Sequence, residues 1–320
     1  MFSTVLNQMI FLFAFIVIGF LLAKGKFLPH NSASVLSKLE NYLFMPALVL
    51  NTFIANCTPQ NLASSWKLLL LSLALIGVLL PLSLLCAKLV FKEKYLQKIS
   101  LYGLEFANFG FMGNAVMSAV FPEIFMDYLL FSMPIWAAIY LWGAPVLLIS
   151  SSGENGEKTT GLVQRLKSFL NPMIIATLVG IVLGLTQLYI PKSITSVLKV
   201  SGDCMSPIAM LLTGITIGNT DVLALLKKWR VYVLSLMKVL LYPLLFILIF
   251  AFIPQNSLIT PVFLKCAACF TAMPMGLNTI VIPAAYGKDT TDAAGMALLS
   301  HLLSVGTIPF MFYLLEVFVL

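Results

Sequence analysis

The sequence predicts an all-α integral membrane protein: ten transmembrane helices in two inverted five-helix repeats, with the fourth and ninth helices broken and crossed. Three observations lead there. Only 10% of the 320 residues are charged while 60% are hydrophobic, and a soluble domain has about 25% charged residues, so a water-facing surface could not be covered. Apolar runs of roughly 20 residues, the helical length needed for a hydrocarbon core of about 30 Å, recur along the whole chain. The longest polar stretch, 150–168, falls at the midpoint and leaves five runs on each side. An odd number of spans per half makes the halves point in opposite directions through the bilayer.

The run 4–23 has neither a basic leader nor an Ala-x-Ala cleavage pattern, so it reads as the first span and not as a signal peptide. The second, 36–55, carries a proline after Met in Phe44-Met45-Pro46-Ala47, flanked by Asn41 and Asn51. Spans three to five follow at 66–91, 99–121 and 125–149 and complete a first repeat over 1–149. A connection, 150–169, leads to the second repeat, 170–320. There Asn171-Pro172 reads as the cap and first turn of span six, 170–190. Asp203 is expected to cap span seven, 204–222, whose Met205-Ser206-Pro207-Ile208 echoes the proline of span two. Spans 231–253, 263–286 and 294–318 complete the count.

Lysine and arginine set the orientation. The odd-numbered connections hold Lys24, Lys26, Lys38, Lys88, Lys92, Lys94, Lys98, Lys158, Arg165, Lys167, Lys227, Lys228, Arg230 and Lys288; the even ones hold Lys67, Lys192, Lys199 and Lys265. Basic residues are retained on the cytoplasmic side, so both termini are expected outside, in a multi-pass cell membrane protein. The net charge of +7 is then a topology signal. It is scattered over short loops and offers no basic face to nucleic acid. The stretch 221–229 reads as amphipathic, lying against lipid at the inner surface.

Chemistry is expected where the spans break. Span four contains Asn108-Phe109-Gly110-Phe111-Met112-Gly113-Asn114, and span nine contains Ala272-Met273-Pro274-Met275-Gly276-Leu277-Asn278. An offset of 164 puts Gly110 on Pro274 and Asn114 on Asn278. Lipid cannot satisfy freed backbone groups, so such breaks face protein or a water-filled cavity, and matched breaks in two repeats mark a transporter's central site. Half-helix N-termini present free N–H groups and about half an elementary charge each, suited to an anion. Asparagine side chains add neutral donors. One kinked helix alone is more simply read as packing; the pair is not.

Other classes find little support. Two histidines and five cysteines give no metal or haem spacing, and Cys266 and Cys269 read as packing within one helical turn. No cofactor or metal is implied. Nothing reads G-x-x-x-x-G-K-[ST], so ATP is not the direct energy source. There is no His-Glu-x-x-His and no intramembrane Asp pair, and Ser300 beside His301 is no nucleophile and base by adjacency alone. The chain is not read as an enzyme.

Asn108-Phe-Gly-Phe-Met-Gly113 with the following Ala-Val-Phe121, Ala272-Met-Pro-Met-Gly-Leu-Asn278 and Tyr286-Gly-Lys-Asp289 resemble the auxin efflux carrier family, which includes plant auxin exporters and bacterial malonate and malate permeases. The likeness runs from the Met45-Pro46 span through Thr307-Ile308-Pro309. It implies a scaffold part, a transport part, crossed fourth and ninth helices around the substrate, and a homodimer. By that likeness Asn108 contacts a substrate carboxylate and Pro274 marks the second crossover. Two departures stand out. Family members commonly carry proline where this chain has Ala115, so the first crossover is expected to be opened by Gly110 and Gly113. The long hydrophilic loop of many plant members is absent, which fits a compact bacterial permease.

The site expected from these readings comprises Asn108, Gly110, Met112, Gly113, Asn114, Pro274, Gly276 and Asn278, with Asn51 opposite. Glu105, Lys238 and His301 are candidates for charge or ion coupling, by a proton or sodium, because ionisable groups at membrane depth are costly. Each has a plainer reading. Glu105 could pair with a loop lysine at the inner interface. Lys238, about seven residues or roughly 10 Å into its span, could reach the interface, and His301 could be a helix-to-helix hydrogen bond. Trp66, Trp136, Trp142 and Trp229 read as interfacial or packing aromatics. The functional expectation is a secondary transporter of a small organic anion, malate, malonate or an auxin-like weak acid, working by elevator or rocking alternating access. The alternative is a channel or ligand sensor using the same midplane site.

Overall fold

The computed structural model describes residues 2–29, 31–139, 142–143, 147–148, 172–219, 227–285 and 288–320. Among these residues the regular structure is helical, and one isolated bridge joins Ala107 to Met275. The connection 150–169, Asn171, part of span five and most of the stretch 221–229 lie outside the described residues.

Helix α1 (Phe2–Lys24) buries Val5, Met9, Leu12, Ile16 and Gly19, a seam at the 3.5-residue spacing of a helix face. Ile10, Phe11, Val17, Ile18 and Leu21 are left outward, as lipid allows. Next come α2 (Ser32–Leu39), a wide π turn Glu40–Phe44, and α3 (Met45–Asn56). The π turn has a cause in the sequence: Pro46 has no N–H and its ring collides with the carbonyl four residues back, so the backbone widens and Met45 N–H bonds Glu40 O instead. The same device recurs before Pro243, where Tyr242 N–H bonds Met237 O.

Helix α4 (Pro59–Ser65), capped by the Thr58 hydroxyl, runs into α5 (Lys67–Val90). Helix α6 (Lys94–Glu105) stops, the chain is extended through Phe106, and a π turn Phe109–Gly113 opens α7 (Asn114–Val120). Helix α8 (Phe125–Ala138) follows through a 120° bend. In the second half come α9 (Pro172–Thr186), α10 (Lys192–Asp203), α11 (Met205–Gly218), α12 (Trp229–Leu236), the π turn Met237–Leu241 and α13 (Tyr242–Ala251). Helix α14 (Pro261–Ala272) breaks before α15 (Asn278–Ala285), and α16 (Thr291–Phe318) is the longest.

Among the described residues five helices are long and apolar enough to cross a membrane: Phe2–Lys24, Pro59–Val90, Lys192–Gly218, Trp229–Ala251 and Thr291–Phe318. A sixth is available if the bent pair Phe109–Val120 and Pro122–Ala138 is one span. Spans two, four and nine are divided by a π turn or an extended stretch, and the described part of span six is a single 15-residue helix. One boundary is corrected. Span seven begins with Lys192 and not at 204, in the run Lys192–Gly218, within which Asp203 closes α10 and pairs with Lys199 at 2.8 Å, one helical turn back. Asp203 caps nothing; the amphipathic α10 was too polar to be recognised as the start of a span.

Packing separates two groups of helices. Helix α1 packs on α11, and α3 packs on α9 and α10. Helices α5 to α8 and α12 to α16 pack mainly among themselves, and the groups meet where α1 touches α16 and α7, α3 touches α8, and α11 touches α7 and the π turn before it. The first group is held by small residues. A Cβ on Gly214 would stand 2.8 Å from Phe20 N, and one on Gly184 would stand 2.6 Å from Phe53 O. Gly214-Ile-Thr-Ile-Gly218 on α11 and Gly180-Ile-Val-Leu-Gly184 on α9 are therefore the small-xxx-small stripes by which membrane helices approach at backbone distance.

Candidate functional site

The two breaks meet. Asn108 N–H donates to Pro274 O at 2.7 Å, and Ala107 pairs with Met275 in antiparallel register. Met275 N–H donates to Ser300 Oγ at 3.2 Å. Each extended stretch thus satisfies backbone groups that lipid could not. Gly276 permits the approach: a Cβ there would lie 3.2 Å from Phe106 O.

The opening of the first break is corrected. The chain leaves the helix at Phe106, ahead of both Gly110 and Gly113, which lie inside the π turn. That turn is wide although Ala115 stands where proline is usual, because Asn108 O accepts from both Met112 N–H (3.1 Å) and Gly113 N–H (3.0 Å). The glycines serve close packing instead. A side chain on Gly110 would strike the Trp136 ring, and one on Gly113 the Tyr128 hydroxyl.

A cavity of about 20 Å³ sits at the junction, lined by Asn108, Gly110, Trp136, Gly276 and Asn278 among others. The first residues of the π turn that opens α7, and the first residue of α15, contribute to it. One water needs roughly 10–15 Å³, so the cavity takes a water and excludes a carboxylate in this conformation. Asn278 Nδ2 donates to Tyr102 OH (3.3 Å) at its edge. Met112, Gly113, Asn114 and Pro274 stand behind the cavity. Met112 Sδ is 4.0 Å from the Ser304 hydroxyl, and the buried Asn114 Oδ1 has no hydrogen-bond partner among the described residues. Asn51 lies elsewhere. It lines a second cavity of about 370 Å³ with Thr52, Asn56, Ser118, Asp203 and Ser206, between α3 and the end of α7.

A family model described as membrane transport protein matches residues 4–312. The chain belongs to that family. The match covers the stretch over which the sequence resembles the auxin efflux carriers. A protein of Rhizobium meliloti (strain 1021) named "Putative malonate transporter" is 21% identical over 309 residues, 95% of this chain and 93% of its own length.

In this membrane transport protein the three ionisable candidates are all buried. Glu105 does not reach a loop lysine: Ser83 donates to Glu105 Oε2 at 2.7 Å, which leaves the Tyr242 hydroxyl to donate to Ser83 at 2.8 Å. Lys238 does not reach the interface. Its ammonium donates to Leu104 O at 2.9 Å and lies over the rings of Tyr242 and Phe270. His301 does bond across helices. Its Nε2 is 2.9 Å from Asn108 Nδ2, and its Nδ1 is 2.7 Å from Ala297 O.

Sequence reasoning passed over Ser83, Tyr242 and Tyr102 because common residues carry no signal by themselves, and weighed Ser300 only as a nucleophile, not as an acceptor for Met275 N–H. Trp136, read as an interfacial or packing aromatic, is buried over the cavity; Trp66 and Trp229 are exposed. Of the motif Tyr286-Gly-Lys-Asp289, the first two residues lie outside the described residues. Asp289 accepts from Thr291 N–H and its hydroxyl (2.9 and 2.5 Å), bonds that hold its carboxyl below the ordinary range. Its carbonyl accepts from Tyr95 OH at 2.6 Å. Burial, with help from the Asp289 and Glu93 carboxylates, pushes that phenol up to about 12. The bond therefore keeps its donor throughout the neutral range.

Proposed function

We propose that this membrane transport protein is a secondary carrier of a small organic anion, a dicarboxylate such as malonate or a related weak acid, that binds at the joined breaks. The observation that carries the reading is the bond from Asn108 N–H to Pro274 O. It fixes two half-helix N-termini and two asparagines around one spot where partial positive charge accumulates without a lining ammonium. Such a site can replace part of a carboxylate's hydration and still release it. The name of the Rhizobium meliloti relative agrees with that chemistry.

The carrier would consist of two inverted five-span repeats with both termini outside. Supporting this, α1 packs on α11 as α9 packs on α3, each pair joined through glycines, and Gly19 and Gly180 stand 161 residues apart, as Pro46 and Pro207 do. Helices α1 to α3 and α9 to α11 would form the scaffold and the dimer surface. The remainder would move with the anion. Membrane potential or a coupled ion drives it, since one charge moved through 100 mV is worth about 2.3 kcal/mol, roughly fiftyfold in concentration.

Counterflow in proteoliposomes tests the reading. Labelled malonate, malate or an aromatic monocarboxylate should exchange saturably against its unlabelled form. Asn108→Ala should abolish exchange at preserved expression, while Trp229→Ala, at an exposed ring, should leave it intact. Flux that never saturates would make the protein a channel, and equal exchange in both variants would remove the site.

A further inference from the structure

The Asn108–His301 pair has a direction that chemistry fixes. Ala297 O can only accept, so His301 Nδ1, 2.7 Å away, carries the hydrogen. In the neutral ring Nε2 is then a bare lone pair, and Asn108 must meet it with its NH₂ group at 2.9 Å. The same asparagine lines the cavity at the crossed breaks. One of its amide hydrogens is thus committed to the ring when the site is closed and holds no anion.

A proton arriving at Nε2 reverses this bond. The ring becomes the donor, and Asn108 can answer only with Oδ1, which requires its amide to turn about χ2. The NH₂ group swings off the ring toward the cavity, where it can give its hydrogens to a carboxylate, and an imidazolium stands directly behind it. An anion and a proton therefore favour one arrangement of Asn108, and the neutral ring favours the other.

Among the described residues, no other ionisable group on the packed elements is bonded to the ring. From α6, Glu105 is bonded to Ser83 and Tyr102 to Asn278. From the α12–α13 segment, Lys238 is spent on Leu104 O, Tyr242 on Ser83, and Arg230 lies over Phe91. From α14, Cys269 Sγ lies 3.7 Å from Tyr128 OH, and Cys266 is buried without a disulfide. Lys265 lies over Phe121, and α1 brings only Lys24 at its end. On α16 itself, Asp292 pairs with Lys228 at 2.7 Å.

We propose that the carrier takes up one proton with each anion, that His301 Nε2 holds this proton, and that Asn108 couples it to the carboxylate by turning its amide. Protonation forms one N–H bond at Nε2 and nothing else; the proton enters from the side of the membrane to which the site is open and leaves to the other with the anion. The inference rests on the carrier reading above and deepens it by naming the coupled ion.

Three measurements test it. Malonate counterflow involves no net proton movement and so examines the carrier reading alone. With the membrane potential clamped at zero, a gradient of one pH unit should then concentrate malonate about tenfold on the alkaline side of wild-type proteoliposomes, one proton per anion. For His301→Gln the final ratio should be one, whatever the speed of approach. Third, the chain has two histidines, so ¹⁵N-histidine NMR gives two pairs of ring-nitrogen signals, and His301→Gln assigns them even if that variant transports poorly. The His301 ring should be the Nδ1–H tautomer without anion and shift to imidazolium as malonate is added. Counterflow without accumulation, accumulation by His301→Gln, or a ring that stays neutral at saturating malonate overturns the proton proposal. Absence of counterflow with malonate, malate and an aromatic monocarboxylate alike overturns the carrier reading and the proposal with it.

Discussion

Gly113 and Tyr128 make a contact whose cost can be measured one methyl at a time. A Cβ on Gly113 would strike the Tyr128 hydroxyl, which itself donates to Phe109 O at 3.0 Å inside the π turn. Gly113→Ala must displace that hydroxyl, so thermal unfolding in detergent should show a loss of about 1–3 kcal/mol, the usual range for overpacking. In a Tyr128→Phe background the colliding oxygen is gone and the same substitution should cost distinctly less, a coupling that a double-mutant cycle exposes. Equal losses in both backgrounds would mean that the glycine answers to backbone conformation and not to the tyrosine. At this scale the sequence could nominate residues but not partners. Asn108 and His301 were both legible as polar groups at membrane depth, yet they are 193 positions apart, and no periodicity links them. For Glu105 and Lys238 the interface alternative fails for a related reason. Hydropathy gives depth along a helix and says nothing about which way a side chain faces, and both face inward.

Among elements, the breaks were readable because Gly, Pro and Asn are the residues that a membrane helix tolerates only for cause. Their exact edges were not. Phe106, where the first helix ends, is an ordinary apolar residue, and it ends there because the extended stretch of the second break supplies Pro274 O to the next amide but one. The π turn before Pro46 was implicit in the proline, whereas the one at Phe109–Gly113 depends on the shared carbonyl of Asn108. Helix pairing was the least legible property, and it yields a sharp expectation. A Cβ on Gly214 would stand 2.9 Å from Ile16 C and 2.8 Å from Phe20 N, main-chain atoms that cannot rotate away. Gly214→Ala must therefore push α11 off α1. Gly77 and Gly306, within α5 and α16, have open space where a Cβ would stand. Alanine at either should leave the midpoint of thermal unfolding unchanged or raise it, while Gly214→Ala should lower it by the equivalent of at least about 1 kcal/mol. Equal behaviour of the three variants would mean that α1 and α11 are not packed at backbone distance.

For the whole molecule, the two cavities set the mechanical problem. The crossover cavity holds about 20 Å³, too little for any carboxylate, while the cavity lined by Asn51 holds about 370 Å³. The larger one has α3 and the α10–α11 joint on one wall and the end of α7 on the other, so it opens between the proposed scaffold and the proposed moving part. If that part carries the crossover past the scaffold, the span from Asn51 on one wall to Ser118 on the other must change in every cycle. Cysteines placed at both positions and joined by a bifunctional thiol reagent should then arrest malonate counterflow, and a cleavable reagent should restore it on reduction. The chain's own cysteines are controlled by serine replacement, beginning with Cys204, since the other four are buried. Either cysteine alone, treated in the same way, should still exchange. Undiminished exchange in the fully cross-linked double variant would mean that the walls keep their distance throughout the cycle. Transport would then have to proceed by local opening at the breaks and not by displacement of one group of helices against the other.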